Sequence, residues 1–191
     1  MSNKLRYIFI IFSLFLFLIF IFPLMSSLLL KSSDLSSTKL EINKTIKNTF
    51  LNDIDTDTVV LFFGYVGCVD ICTPILQDLA TMYESKEIKP IQDRFKVVFV
   101  NLTFQVDPLQ PKYFAQFFHK KFEGIYLSQN ELHNIDRVFS LYYSTSLLND
   151  LEVNHTDNIY LLKRNKDIWI LKSIYFSNNG YLKLKKDLIA N

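Results

Sequence analysis

The chain has 191 residues, 49% of them hydrophobic, with 18 Phe and 10 Tyr against only four Gly. So much apolar surface excludes a low-complexity or disordered chain, and the length suits one domain with appendages. A net charge of +2 gives no electrostatic case for a nucleic-acid partner, and two Cys exclude both a disulfide-stapled mini-protein and a four-thiolate zinc site.

The mean hydropathy of +0.14 hides an uneven distribution. Tyr7 to Leu24 reads YIFIIFSLFLFLIFIFPL, uncharged, with Ser13 the one polar residue beyond the edge hydroxyl of Tyr7. About 18–20 helical residues cross a hydrocarbon core of about 30 Å. A transmembrane anchor is therefore expected over residues 7–26. Lys4 and Arg6 put the tail, residues 1–6, in the cytoplasm and the rest outside. The rival is a cleaved signal peptide, whose apolar region is shorter and ends in a small-x-small site. Met25-Ser26-Ser27 makes a poor one. Pro23 is expected to kink or fray the outer end. Residues 31–191 then carry 19 bases and 19 acids, a neutral body with no polybasic patch. Lys183, Lys185 and Lys186 read as the solvated face of a terminal helix.

Residues 27–57 are polar and read as a linker with room for a short edge strand. Residues 58–191 form the domain. Thr58 to Phe63 (TVVLFF) is a continuous apolar run of the kind found in a buried central strand. Pro74 to Tyr83 has helical spacing, with Pro74 in the first turn. Phe95 to Leu102 predicts a second strand, Pro111 to Phe122 an amphipathic helix with a basic end, and Ile125 to Leu127 a third strand. Ser128 and Glu131 form a capping box opening a helix to about Tyr143. Asn158–Lys163 and Ile168–Ile174 predict a hairpin around RNKD, and Tyr181–Ile189 a closing helix. Parallel units followed by a hairpin give a mixed sheet with helices on both faces, an α/β thioredoxin-like pattern.

The chemistry lies just after the first strand. Cys68 and Cys72 stand in FFGYVGCVDICTP, at a strand-to-helix turn. A helix N-terminus favours thiolate over thiol, and thiolate is the form that binds soft metals or attacks disulfides. Outside the cytosol the same pair also reads as a structural disulfide. Two thiolates make an incomplete shell for most metals, so a third ligand must come from elsewhere. His119 sits at the end of a basic helix and reads as solvated. His133 lies on a polar stretch. His155 precedes the hairpin, in a loop that a thioredoxin-like sheet sets beside the cysteines.

FFGYVGCVDICTPILQDL resembles the signature of the Sco/SenC copper proteins, F-G-Y-T-x-C-P-D-V-C-P followed by a Leu-bearing helix. Gly64, Tyr65, Cys68, Asp70, Cys72 and Leu79 stand at matching positions. EVNHTDNIYLLKRN resembles the family's V-D-H-S-x-x-x-Y-L-x-D stretch, with His155 at the ligand position. FVNLTFQVDPLQP is a weaker match, with Asp107 on the family's second Asp and Thr103 in place of the first. Val69, Thr73 and Asn154 also depart from the pattern. The resemblance covers roughly residues 58–190. It implies a thioredoxin-like copper chaperone holding Cu(I) or Cu(II) through Cys68, Cys72 and His155, with Asp70 and Asp107 in supporting positions behind the ligands.

Family members deliver copper to the dinuclear copper centre of cytochrome c oxidase or reduce its cysteines. The expected partners are therefore a copper-accepting oxidase subunit or another copper protein, and the membrane. The expected location is a bacterial inner membrane with the domain in the periplasm, since no obvious Arg-rich, Ser-rich transit peptide is seen; the alternative is a mitochondrial inner membrane with the domain in the intermembrane space. The alternative is an anchored thiol–disulfide oxidoreductase with Cys68 and Cys72 as a catalytic redox pair, which has no need of His155. A third reading is a binding module with a structural disulfide.

Overall fold

In a computed structural model, the structure describes residues 4, 6–7, 9–19, 21, 38–46, 50–145, 153–176 and 180–190. The chain divides into two compact units, Met1–Ser37 and Thr38–Asn191. The described residues of the first unit are helical (α1, within residues 4–21). No helix among the described residues is long and apolar enough to cross a membrane. Pro23 and Met25–Ser27 lie outside the described residues.

In the second unit the apolar run becomes β2 (Thr58–Gly64), buried at every position after Thr58. It lies inside a six-stranded sheet in the order β1-β8-β7-β2-β3-β4. β2 pairs in parallel with β3 (Lys96–Asn101), and β3 with β4 (Glu123–Tyr126). On its other side β2 runs antiparallel to β7 (Ile159–Asn165), which forms a hairpin with β8 (Ile168–Tyr175). β1 (Lys39–Ile46) closes that edge against β8, with a register shift between Glu41 and Lys44 where Asn43 takes φ 55°. Such bulges twist an exposed edge away from unwanted pairing.

Period-two alternation assigns the strands' side chains to two cores. Val60, Phe62, Val97 and Phe99 face one, which α2 (Cys72–Tyr83) covers with Leu76, Leu79 and Met82, together with α3 (Gln110–Phe118) and α5 (Gly180–Ile189). Val59, Leu61, Phe63 and Val98 face the other, covered by α4 (Gln129–Phe139) through Leu132, Ile135 and Phe139. Burying each such leucine contributes about 1.5–3 kcal/mol. α4 opens on the expected capping box, the Ser128 N–H donating to Glu131 Oε2 at 2.8 Å. It ends at Phe139 rather than Tyr143, because Ser140 enters the left-handed region at φ 52°. Tyr143 instead begins β5 (Tyr143–Thr145), which pairs with β6 (Val153–His155) in a two-stranded ribbon.

Candidate metal centre

At the end of β2 the chain turns sharply out of the sheet. The Leu102 N–H donates to the Gly64 carbonyl at 2.7 Å, holding the exits of β2 and β3 together. Gly67, at φ 90°, occupies a conformation that side chains disfavour. The Val66 N–H donates to Asn101 Oδ1 at 3.0 Å. Asn101 is fully buried at the end of β3, and its Nδ2 donates to the Thr103 carbonyl. The Cys68 N–H returns to the Tyr65 carbonyl, and the Thr73 hydroxyl donates to the Cys68 carbonyl at 2.9 Å. Thr73, which stands where the family pattern has proline, thus ties the loop by a hydrogen bond.

α2 has no side-chain cap from Ile71 and no acid in its first turn. Cys68 Sγ accepts the Cys72 N–H instead, at 3.2 Å, so the sulfur itself caps the helix. Cys72 is fully buried and packs over Gly64; a Cβ at Gly64 would fall 2.6 Å from Cys72 Sγ.

His155 arrives from the opposite side, at the end of β6, opposite Tyr143. In the neutral ring Nδ1 donates to the Thr156 carbonyl at 2.9 Å, because a carbonyl only accepts. Nε2 faces the sulfurs, 3.4 Å from Cys72 Sγ and 3.9 Å from Cys68 Sγ; protonated, it donates toward the Cys68 thiolate, and deprotonated, it offers a lone pair to a metal. Tyr65 meets the imidazole edge-on at 5.9 Å between ring centroids, and Phe62 does so at 6.3 Å.

The electrostatics separate the two cysteines. The Cys72 thiol's hydrogen bond lowers the Cys68 pKa to about 4; burial opposes this, while the His155 ring and the Cys72 and Ile71 amides add to it. Burial pushes the Cys72 thiol up, and the adjacent Cys68 sulfur pushes it further. The result is one thiolate and one thiol. Burial acts to lower the His155 pKa, but the Cys68 sulfur and the Thr156 carbonyl outweigh it and raise the net value.

The three ligand atoms lie within 4.8 Å of one another. Around one three-coordinate ion with bonds of about 2.0–2.3 Å, ligand atoms stand roughly 3.5–4 Å apart, so the arrangement fits such an ion with little movement. Two sulfurs and a nitrogen form a soft-to-borderline donor set.

The remaining candidates lie elsewhere. Asp70 is exposed and lines a 210 Å³ cleft with Tyr65, Cys68, Tyr142, Asn154 and His155. Asp107 lies at the turn before α3, where its carboxylate accepts the Leu109 N–H at 2.8 Å; it does not line that cleft. His133 is exposed, with Nδ1 3.3 Å from Asp136. His119 is not solvated as expected. α3 ends at Phe118, and extended backbone at His119 turns the ring onto Tyr83, 4.8 Å away, where Nε2 donates to Glu84 at 2.8 Å. Sequence reasoning missed Asn101, whose one signal is a polar residue closing the buried run VVFV.

The fold and cluster define a thioredoxin-like protein with a C-x-x-x-C turn and a histidine brought to it from the segment before the hairpin. Residues 42–174 match the SCO1/SenC family model, and the chain belongs to that family. It is 28% identical over 108 residues to the mitochondrial protein SCO2 homolog of Bos taurus. That match takes in 54% of this chain and 41% of the bovine protein, so the chain spans less than half the length of the curated relative. Among solved structures, Arabidopsis thaliana ScoI with copper bound superposes with a TM-score of 0.62 at 23% identity, covering 78% of this chain and 96% of that one. Apo Sco1 from Thermus thermophilus gives 0.59 at 22% identity, covering 81% and 92%.

Proposed function

We propose that this chain is a membrane-anchored copper chaperone whose cargo is held by Cys68, Cys72 and His155. The domain, residues 58–191 with β1 added at its edge, does the binding, and residues 7–26 anchor it with residues 1–6 in the cytoplasm. The observation that carries the reading is the convergence of the three ligand atoms within 4.8 Å from two distant segments. Two sulfurs suit Cu(I), and the imidazole lets Cu(II) bind as well. Cys68 supplies a thiolate already formed, Cys72 gives up its proton on binding, and the Thr156 carbonyl fixes the His155 tautomer. Asp70, exposed in the cleft beside Cys68 and His155, orients the cysteine loop or tunes the basicity of its thiolate. The copper-bound Arabidopsis relative supports copper as the metal. Family membership supports a copper-accepting cytochrome c oxidase subunit as recipient. The uncharged apolar run of residues 7–24 supports a membrane location, with the periplasmic face of a bacterial inner membrane as our reading and a mitochondrial membrane, in line with the mitochondrial bovine relative, as the alternative.

The test is copper titration of the reduced full chain, desalting and metal analysis, alongside His155→Ala. One retained copper per wild-type chain, with thiolate-to-Cu(II) absorption lost in the variant, is expected. Unchanged affinity in the variant removes His155 from the site.

The low Cys68 pKa beside the Cys72 thiol also favours a second activity, reduction of a partner's disulfide. Cys68 thiolate attacks one partner sulfur. Cys72 then loses its proton and closes the Cys68–Cys72 disulfide, passing two electrons to the partner, whose two cysteines take up that proton and one more from solvent. A reversible two-electron couple that survives His155→Ala supports this activity; its absence excludes it.

A further inference from the structure

α3 presents an apolar row to solvent. Leu109 at its N-cap, then Tyr113 and Phe117, follow at four-residue intervals and are exposed at 55, 63 and 81%. That spacing lines side chains up along one helix face. The opposite face, with Pro111 and Ala115, is the one buried in the domain. Isolated exposed apolar side chains are ordinary, but a contiguous row on so short a helix marks an interaction site.

Beside the row, Lys96, Lys112, Gln116, Lys120 and Lys121 line a 420 Å³ cleft between α3 and β4. Its one acid, Glu123, is engaged by Lys96 at 3.1 Å, and Lys121 reaches Asp93 at 3.2 Å. Among the described residues, no carboxylate lies within ion-pair distance of Lys112 or Lys120. Residues 109–121 contain no Asp or Glu. The expectation of no basic patch is thus corrected locally: the fold gathers Lys96, Lys112, Lys120 and Lys121 around one cleft, although residues 31–191 balance overall.

We propose that this face of α3 docks on an anionic phospholipid surface, with Leu109, Tyr113 and Phe117 entering the headgroup boundary and Lys112 and Lys120 meeting lipid phosphates. Aromatic rings favour that boundary, and lysines snorkel to headgroups while their stems cover apolar surface. An acidic soluble protein would satisfy the lysines alone. The protruding row, which forms no groove, fits a fluid surface that closes around it. The contact is independent of the copper ligands. It rests on the proposed anchor only in that tethering raises the local lipid concentration, so that a weak contact suffices.

The test uses the full chain with Phe117→Trp. Trp169 is the native tryptophan, only 1% exposed, and gives the unquenched baseline. The protein is floated with vesicles of phosphatidylcholine, alone or mixed with phosphatidylglycerol, carrying brominated acyl chains. Flotation with both vesicles is expected through the anchor. On the anionic vesicles, emission of the variant falls about twofold further than wild type, and Lys112→Glu with Lys120→Glu or high salt removes that excess. Floated protein with no quenching beyond wild type overturns the α3 contact and leaves the anchor. Flotation only with anionic vesicles, lost in the double lysine variant, supports the α3 contact and overturns the anchor. No flotation with either vesicle overturns both.

Discussion

The Cys68–Cys72 loop hangs between a strand buried from Val59 to Gly64 and a helix that buries five of its twelve residues, whereas His155 ends a three-residue strand with an equally short partner. The loop is tied down by the Asn101 side chain, the Leu102 amide, the Thr73 hydroxyl and its own Tyr65 carbonyl. The imidazole is oriented by its neighbour's carbonyl and by the edges of Tyr65 and Phe62. On the proposed reading, the difference lets one cluster both hold and release a metal: the two sulfurs sit on elements fixed by the sheet, and the imidazole rides on a two-stranded ribbon outside it.

The strongest way to break this division of labour is to remove each ligand in turn. Cys68→Ser or Cys72→Ser is expected to abolish both copper retention and the thiol couple. His155→Ala is expected to weaken copper binding at least about 100-fold, above the 10–100-fold typical of outer-shell changes, while the couple persists. Competition against a chelator, together with redox titration, reads both.

The protonation states sharpen the contrast between the sulfurs themselves. Cys68 is held well below an ordinary thiol, so its thiolate is present above about pH 4 and is lost below it. Cys72 is pushed the other way. Thiolate absorbance of the metal-free protein is expected to show one step near pH 4 and none from Cys72 across the neutral range. Two steps at ordinary thiol values would contradict the geometry.

Changes in the supports are smaller. Asn101→Ala, at the buried end of β3, takes the acceptor from the partly buried Val66 N–H in the loop after β2, at a cost of about 1–3 kcal/mol. Gly64→Ala forces a Cβ against Cys72 Sγ and Phe99, an overpacking of about 1–3 kcal/mol that also displaces a ligand sulfur. Thermal unfolding reads either loss, at about 2–4 °C per kcal/mol for a domain this size. Asp107→Ala, which removes only the acceptor for the Leu109 N–H, is expected to cost under about 1 kcal/mol and to leave copper affinity unchanged. A copper defect in that variant would bring Asp107 into the site.

The fixed half of this comparison was also the legible half. TVVLFF, the Pro74 helix, the Ser128 capping box and the terminal hairpin all announce themselves through local pattern, and the structure bears them out to within a few residues. The ribbon of β5 and β6 does not. Two three-residue strands carry no usable alternation, and the helix pattern through Tyr143 ran over the first of them until Ser140 broke it. The partnership of His155 with the cysteines was legible only through the fold expected of the whole domain and the family resemblance. Asn101 and His119 depend on tertiary context: a polar strand end that meets a loop 35 residues away, and a backbone that turns extended just after a helix.

The most direct test of the central claim is X-ray absorption at the copper edge of the loaded full chain. Two sulfur scatterers and one imidazole nitrogen are expected in the wild type, with the imidazole signal lost in His155→Ala and both sulfurs kept. Identical spectra for the two proteins would contradict a site built from Cys68, Cys72 and His155.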